Sequence, residues 1–209
     1  MYNVKRVVAL LLAIIALGTS AQNTQAGMIG PPLGLRGVME KIRFSEPTPA
    51  PMAYTMFCMR YSDECGQQPR ARMVFRGGGT RLTKERQVEL IAVNASVNRQ
   101  IAPQRNERGL AGEEWVINPA RGDCNDYAVS KRHELLARGW PMRNLLLSEV
   151  VTSWGEHHLV LVVRVKGGDI VLDNLSAQIR SWSKPNYRWV RMQTPENPDH
   201  WAAIAQAGV

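Results

Sequence analysis

Three residues able to share an acyl-transfer reaction stand in a suggestive order along the chain: Cys124, His158 and Asp173. Cys124 lies where the polar, turn-forming run Asn118-Pro119-Ala120-Arg121-Gly122-Asp123 gives way to a helical pattern. Apolar or small residues recur there at Tyr127, Ala128, Leu135 and Leu136, and Gly139 stands where such a helix would stop. A thiol at a helix N-terminus faces the positive end of the backbone dipole and unpaired N–H groups. Both favour the thiolate, which is the nucleophile. His157 and His158 open a β-like run, and Asp173 lies in the next one. In this arrangement Cys124 would attack a carbonyl, histidine would take its proton and Asp173 would orient the imidazole. The Cys124 backbone N–H would serve as one oxyanion donor.

Strand geometry selects between the two histidines. Side chains alternate along a strand, so His157 and His158 face opposite ways. With Gly167-Gly168 as a two-residue turn, Val162 lies opposite Asp173, and His158 shares their face. That register leaves His158 four residues from the level of Asp173, roughly 13 Å, a gap for twist, a bulge or a longer turn to close.

Several elements must hold these residues. A helix capped by Thr83 carries an apolar stripe from Val88 through Ile101 and ends at Pro103. Its Asn94 and Asn98 share a face and read as surface amides. On the helix of Cys124, Lys131 and Arg132 read as outward-facing. Strands are expected at Leu145–Val151, Leu159–Val165, Asp169–Leu175 and Arg188–Met192, with a short helix over 200–204. Helices first and a meandering antiparallel sheet afterwards define an α+β fold, with the nucleophile at a helix N-terminus packed on the sheet.

Residues 1–26 have the build of a secretory signal peptide: Lys5 and Arg6, the apolar run Val7–Leu17, then small residues before Ala21 and Ala26. That run is too short to span a bilayer comfortably, so no stable membrane insertion is expected once it is removed. Residues 27–53 are rich in Pro and Gly and read as an extended arm, leaving 54–209 as the domain. Cys58 and Cys65 bracket a turn-rich loop, and in an exported chain they read as a local disulfide. Cys124 is then the unpaired thiol.

The formal net charge is +8, of which Lys5 and Arg6 contribute two. The arginines are scattered and not interleaved with aromatics, which argues against nucleic acid as a partner. Zinc would need a close Cys/His cluster that these spacings do not supply, and the residues themselves require no cofactor.

The stretches Trp115, Gly122-Asp123-Cys124-Asn125-Asp126-Tyr127, Lys131-Arg132, Gly139-Trp140-Pro141, His158-Leu159-Val160-Leu161 and Leu172-Asp173-Asn174 resemble the bacterial transglutaminase-like cysteine peptidases. These are exported relatives of the periplasmic protease that trims large surface adhesins. The Cys58…Glu64-Cys65 loop is also similar, and the resemblance spans roughly residues 54–201. It implies a papain/transglutaminase-like fold, a catalytic Cys124, His158 and Asp173, a periplasmic location, and a cell-surface or periplasmic protein, such as an adhesin, as substrate. It further implies calcium beside the cysteine, held by Asp123 and an acid at position 125. Here Asn125 stands in that place, and its amide carbonyl could ligate calcium with one carboxylate charge fewer. Transglutaminase or deamidase chemistry uses the same trio, and a non-catalytic binding module could keep the same fold.

Overall fold

The computed structural model describes residues 40–66, 80–107 and 112–205. The leader, the Gly77-Gly78-Gly79 turn and the first part of the 27–53 arm lie outside the described residues.

Nine strands and three α-helices are present among them. They are β1 (Phe44–Thr48), α1 (Met52–Arg60), α2 (Lys84–Gln100), β2 (Ala102–Pro103), β3 (Arg121–Gly122), α3 (Cys124–Ala137), β4 (Leu145–Val151), β5 (His157–Val165), β6 (Gly168–Leu172), β7 (Arg180–Ser181), β8 (Arg188–Gln193) and β9 (Trp201–Ile204). Seven strands form one sheet in the order β1-β9-β8-β4-β5-β6-β7, and each neighbouring pair is antiparallel. The two-residue strands β2 and β3 pair in parallel. The expected α+β class is what the chain adopts.

The central strands β4 and β5 are apolar on both sides because both faces are covered. Leu145, Leu147, Leu159, Leu161, Val163 and Val165 turn towards the helices. Leu146, Val150, Val160 and Val162 turn the other way and meet Val171, Trp189, Met192 and Ile42. Alternation of side chains along each strand accounts for the split.

Ile42 marks a correction to the expected 27–53 arm. Its described part belongs to the domain: β1 pairs with β9, and the Ile42 N–H donates to the buried Asp169 carboxylate at 2.7 Å. Arg164 closes this link, donating to both Asp169 oxygens at 3.0 and 2.8 Å and lying over the Phe44 ring. Pro and Gly signal an extended chain, and an edge strand is also extended. The tail is a second correction. Residues 201–204 form β9, not a helix, because β8 and β1 flank them and supply ladder partners on both sides. Tertiary pairing overrides the helical propensity of Ala202-Ala203.

Helix α3 is the centre of the helical layer and packs on both β5 and α2. Lys131 and Arg132 are accordingly buried, against expectation. Arg132 donates to the Leu145 carbonyl at 3.2 Å and to the Glu64 carbonyl at 2.5 Å and carboxylate at 3.1 Å. His133 contacts the other Glu64 oxygen at 2.6 Å. Glu64 sits in the loop closed by the Cys58–Cys65 disulfide, whose S–S distance is 2.04 Å. The disulfide loop thereby clamps the far half of α3.

Candidate active site

Asp123 is the N-cap of α3, and Cys124 is its first residue. The Asp123 carboxylate accepts the Asn125 N–H at 3.0 Å, and Asp126 returns the favour by accepting the Asp123 N–H at 3.0 Å. This reciprocal capping box satisfies donors that a helix start leaves unpaired. The second Asp126 oxygen accepts the Val116 N–H at 2.7 Å. A Cβ built on Gly122 would lie 2.3 Å from Asp126 Oδ2, so the glycine before Asp-Cys is needed to let that carboxylate approach. The Gly-Asp-Cys stretch is thus a cap that fixes where the thiol starts.

The Cys124 thiol differs from the sequence expectation. Burial pushes it up to about 12, the Asp123 and Glu113 carboxylates push the same way, and the N–H groups of Leu159 and Cys124 itself pull against them. No cation is among these influences. Burial thus disfavours the thiolate in this geometry, and the helix start alone does not offset it. The Leu159 N–H places the sulfur at the opening of β5, one residue from His158.

His158 is buried and His157 is exposed, as parity anticipates. His157 pairs at the rim with Glu149 at 2.7 Å. His158 Nε2 meets Asp173 Oδ1 at 2.9 Å. The expected gap closes through the turn. Val165 pairs with Gly168 and Val162 with Val171, so the turn is Lys166-Gly167 and not Gly167-Gly168. Gly168 takes φ 146°, a conformation suited to glycine. Continued one step past Leu161↔Leu172, this register puts Asp173 level with Val160. His158 is then two residues away instead of four, about 7 Å along the strand, which side chains span.

Asp173 has further partners. Tyr187 Oη donates to Oδ2 at 2.5 Å, and the Leu175 N–H donates to Oδ1 at 2.9 Å. Burial alone would raise the Asp173 pKa, but the hydrogen bond and charge of His158, with the Tyr187 and Leu175 donors, hold it below its ordinary value. The Tyr187 ring also meets the His158 ring edge-on. Asn98 Nδ2 donates to the Asp173 carbonyl at 3.0 Å, and Asn94 Nδ2 reaches the carbonyls of Ser176 and Ala177, each at 3.3 Å. The two amides read from sequence as surface groups therefore face the site and pin the loop that follows β6.

The structure joins His158 to Asp173 and sets Cys124 beside the residue after His158. Among the described residues, Cys124 and His158 make no hydrogen bond with each other. Sequence reasoning missed Tyr187 and Glu113. Tyr187 reaches Asp173 only past a β-bulge, where the register of β8 shifts between Arg191 and Trp189. Glu113 sits in a polar loop without periodicity, and its Oε1 accepts Asn125 Nδ2 at 2.5 Å and Trp115 Nε1 at 3.2 Å.

Of the proposed metal residues, Asp123 accepts the Asn125 N–H, and the Asn125 side chain donates to Glu113. Among the described residues, three acid, thiol or imidazole ligands come within reach of one ion only at Cys58, Cys65 and Asp199, where both thiols are spent in the disulfide.

A helix-start cysteine packed on an antiparallel sheet that carries a buried His–Asp pair is the architecture of the papain and transglutaminase class. Residues 44–208 match the family described as bacterial transglutaminase-like cysteine proteinase (BTLCP). The chain belongs to that family, and with it to the cysteine peptidases. No curated protein matches it. Among solved structures it is similar to Legionella pneumophila LapG at 23% identity, over 51% of this chain and 62% of that one, with a TM-score of 0.44. Calcium-bound LapG is similar at 23% identity over 59% and 73% of the two chains, TM-score 0.48. EGTA-treated LapG is similar at 22% over 58% and 72%, TM-score 0.47. The match thus spans less than two thirds of the first LapG chain. No helix among the described residues is long and apolar enough to cross a membrane.

Proposed function

We propose that the chain is an exported, periplasmic peptidase that cleaves a protein at or near the cell surface, with Cys124 as nucleophile, His158 as base and Asp173 as orienting carboxylate. The observation that carries this reading is the buried His158–Asp173 hydrogen bond at 2.9 Å beside the strand opening that receives the Cys124 sulfur. Asp173 occupies Nε2, which leaves Nδ1 of the imidazole to work on the thiol. On approach of substrate, the Cys124 proton passes to Nδ1 and the sulfur adds to the peptide carbonyl. The Cys124 N–H helps to hold the oxyanion. The imidazolium then returns its proton to the departing amine as the C–N bond breaks. Water, deprotonated by the same nitrogen, hydrolyses the thioester and frees the acid. Asp173, kept ionised by its donors, stabilises the imidazolium in both halves.

A surface adhesin is the substrate that the family resemblance suggests. Calcium, suggested by the same resemblance, suits these residues poorly, and no step above uses it. The test is to incubate the purified protein and a Cys124→Ala variant with cell-surface protein fractions and to map new N-termini by mass spectrometry. New termini produced only by the intact protein support the peptidase. Ammonia release without new termini supports transglutaminase or deamidase chemistry instead. Identical outcomes for the two proteins indicate a non-catalytic binding module.

A further inference from the structure

At the start of α3, four side chains that could crowd a cation are already joined by protein donors. Asn125 Nδ2 donates to Glu113 Oε1 at 2.5 Å, and Trp115 Nε1 donates to the same oxygen at 3.2 Å. Asp123 accepts the Asn125 N–H at 3.0 Å. Asp126 accepts the Val116 N–H at 2.7 Å with one oxygen and the Asp123 N–H at 3.0 Å with the other. Calcium takes 6–8 oxygen ligands. Here the face that Asn125 turns towards Glu113 is an N–H donor, and a donor supplies no lone pair to an ion. Nor do the carboxylates of Glu113, Asp123 and Asp126 approach one another closely enough, as described, to share one ion.

We propose that the Asn125–Glu113 hydrogen bond takes the place of calcium in this chain, joining the nucleophile helix to the 113–118 segment so that the helix start is held without metal. A cation between these segments would offset three carboxylate charges and tie the loop to the helix. Asn125 achieves the tie by presenting a donor where an acid would repel Glu113. Trp115, buried against Tyr54 and Phe57, anchors the far side of the same tie. Asn125 and Glu113 are then positioning residues for Cys124, acting through the helix start. The proposal concerns stability and metal response, so it stands or falls separately from the peptidase reading.

Its test needs no substrate. The thermal midpoint of the purified protein is measured in EGTA and in about 10 mM calcium, roughly tenfold above the Kd of the weakest extracellular calcium modules. The wild-type midpoint is expected to stay the same in both, and titration calorimetry with calcium chloride is expected to show no saturating heat. Asn125→Asp is expected to melt lower in EGTA, because two carboxylates then face each other, and to recover by about 2 °C or more in calcium. Glu113→Gln, which keeps an acceptor oxygen, is expected to remain calcium-insensitive. A wild-type midpoint that rises in calcium, or a saturating calorimetric isotherm, overturns the proposal. So does an Asn125→Asp protein that folds but ignores calcium. If that variant does not fold, the wild-type calorimetry decides alone.

Discussion

Asp173 shows how much of a catalytic residue's behaviour comes from its donors. Left to burial alone its carboxyl would hold its proton, yet His158, Tyr187 and Leu175 keep it below its ordinary 3.8. A carboxylate whose folded pKa is depressed contributes stability that is present above its unfolded value and is lost as pH falls through the folded one. The wild-type protein should therefore keep this contribution to below pH 3.8. Tyr187→Phe removes one donor, raises the Asp173 pKa and moves that loss to higher pH. We expect a cost of about 1.5–3 kcal/mol near neutrality, the scale of a hydrogen bond to a charged group. Urea unfolding from pH 3 to pH 7 measures both effects. A pH profile of unfolding identical to wild type would remove Tyr187 from the account.

Helix α3 carries more than the nucleophile. Its first turn is a cap built around Asp126, and its later turns bury Lys131 and Arg132. Arg132 has Glu64 and two carbonyls as partners. Lys131 has the Tyr127 ring 5.9 Å from its Nζ. Burial lowers the Lys131 pKa from 10.5 to about 7, with the Asp173 charge opposing. For a lysine whose folded pKa is depressed, stability is fully present above 10.5 and is lost as pH falls through about 7. Lys131→Met should therefore stabilise the fold most below pH 7, by about 1–4 kcal/mol, as other replacements of buried charges do. The gain should fade as pH approaches 10.5, the ordinary value. Thermal midpoints at pH 6 and pH 10 check it, and an equal gain at both would exclude titration as the cause.

Across the whole molecule, the disulfide loop, α3 and the sheet form one connected support. Cys58→Ser with Cys65→Ser opens a short loop and should cost about 2–3 kcal/mol by chain entropy. Because Glu64 clamps Arg132 from within that loop, hydrogen exchange in α3 should rise as well. Unchanged exchange there would mean the clamp forms without the disulfide. Much of this support was legible in the sequence. Thr83 caps α2 as expected, the strand positions are close, and parity puts His158 rather than His157 on the face of Asp173. What escaped depended on chain pairing that local patterns do not carry. The turn at Lys166-Gly167 moved the register by two residues, which preserved parity and so left the choice of His158 intact. Ala202-Ala203 reads as helix until β8 and β1 flank it. Asn94 and Asn98 look like surface amides because nothing in α2 announces that the loop after Asp173 will lie across them. Lys131 and Arg132 look outward because burial of a charge depends on Glu64 and Tyr127 meeting it.

Peptidase chemistry at this site requires His158 to activate Cys124. A thiol pushed up to about 12 and given no base would be almost inert at neutral pH. Alkylation by iodoacetamide at pH 7, read at Cys124 by peptide mass spectrometry, isolates that step from any substrate. We expect measurable labelling in the wild-type protein and a fall of about 10²–10⁴-fold in His158→Ala, the usual worth of a positioned general base. Cys124 labelling at the same rate with and without His158 would contradict the account.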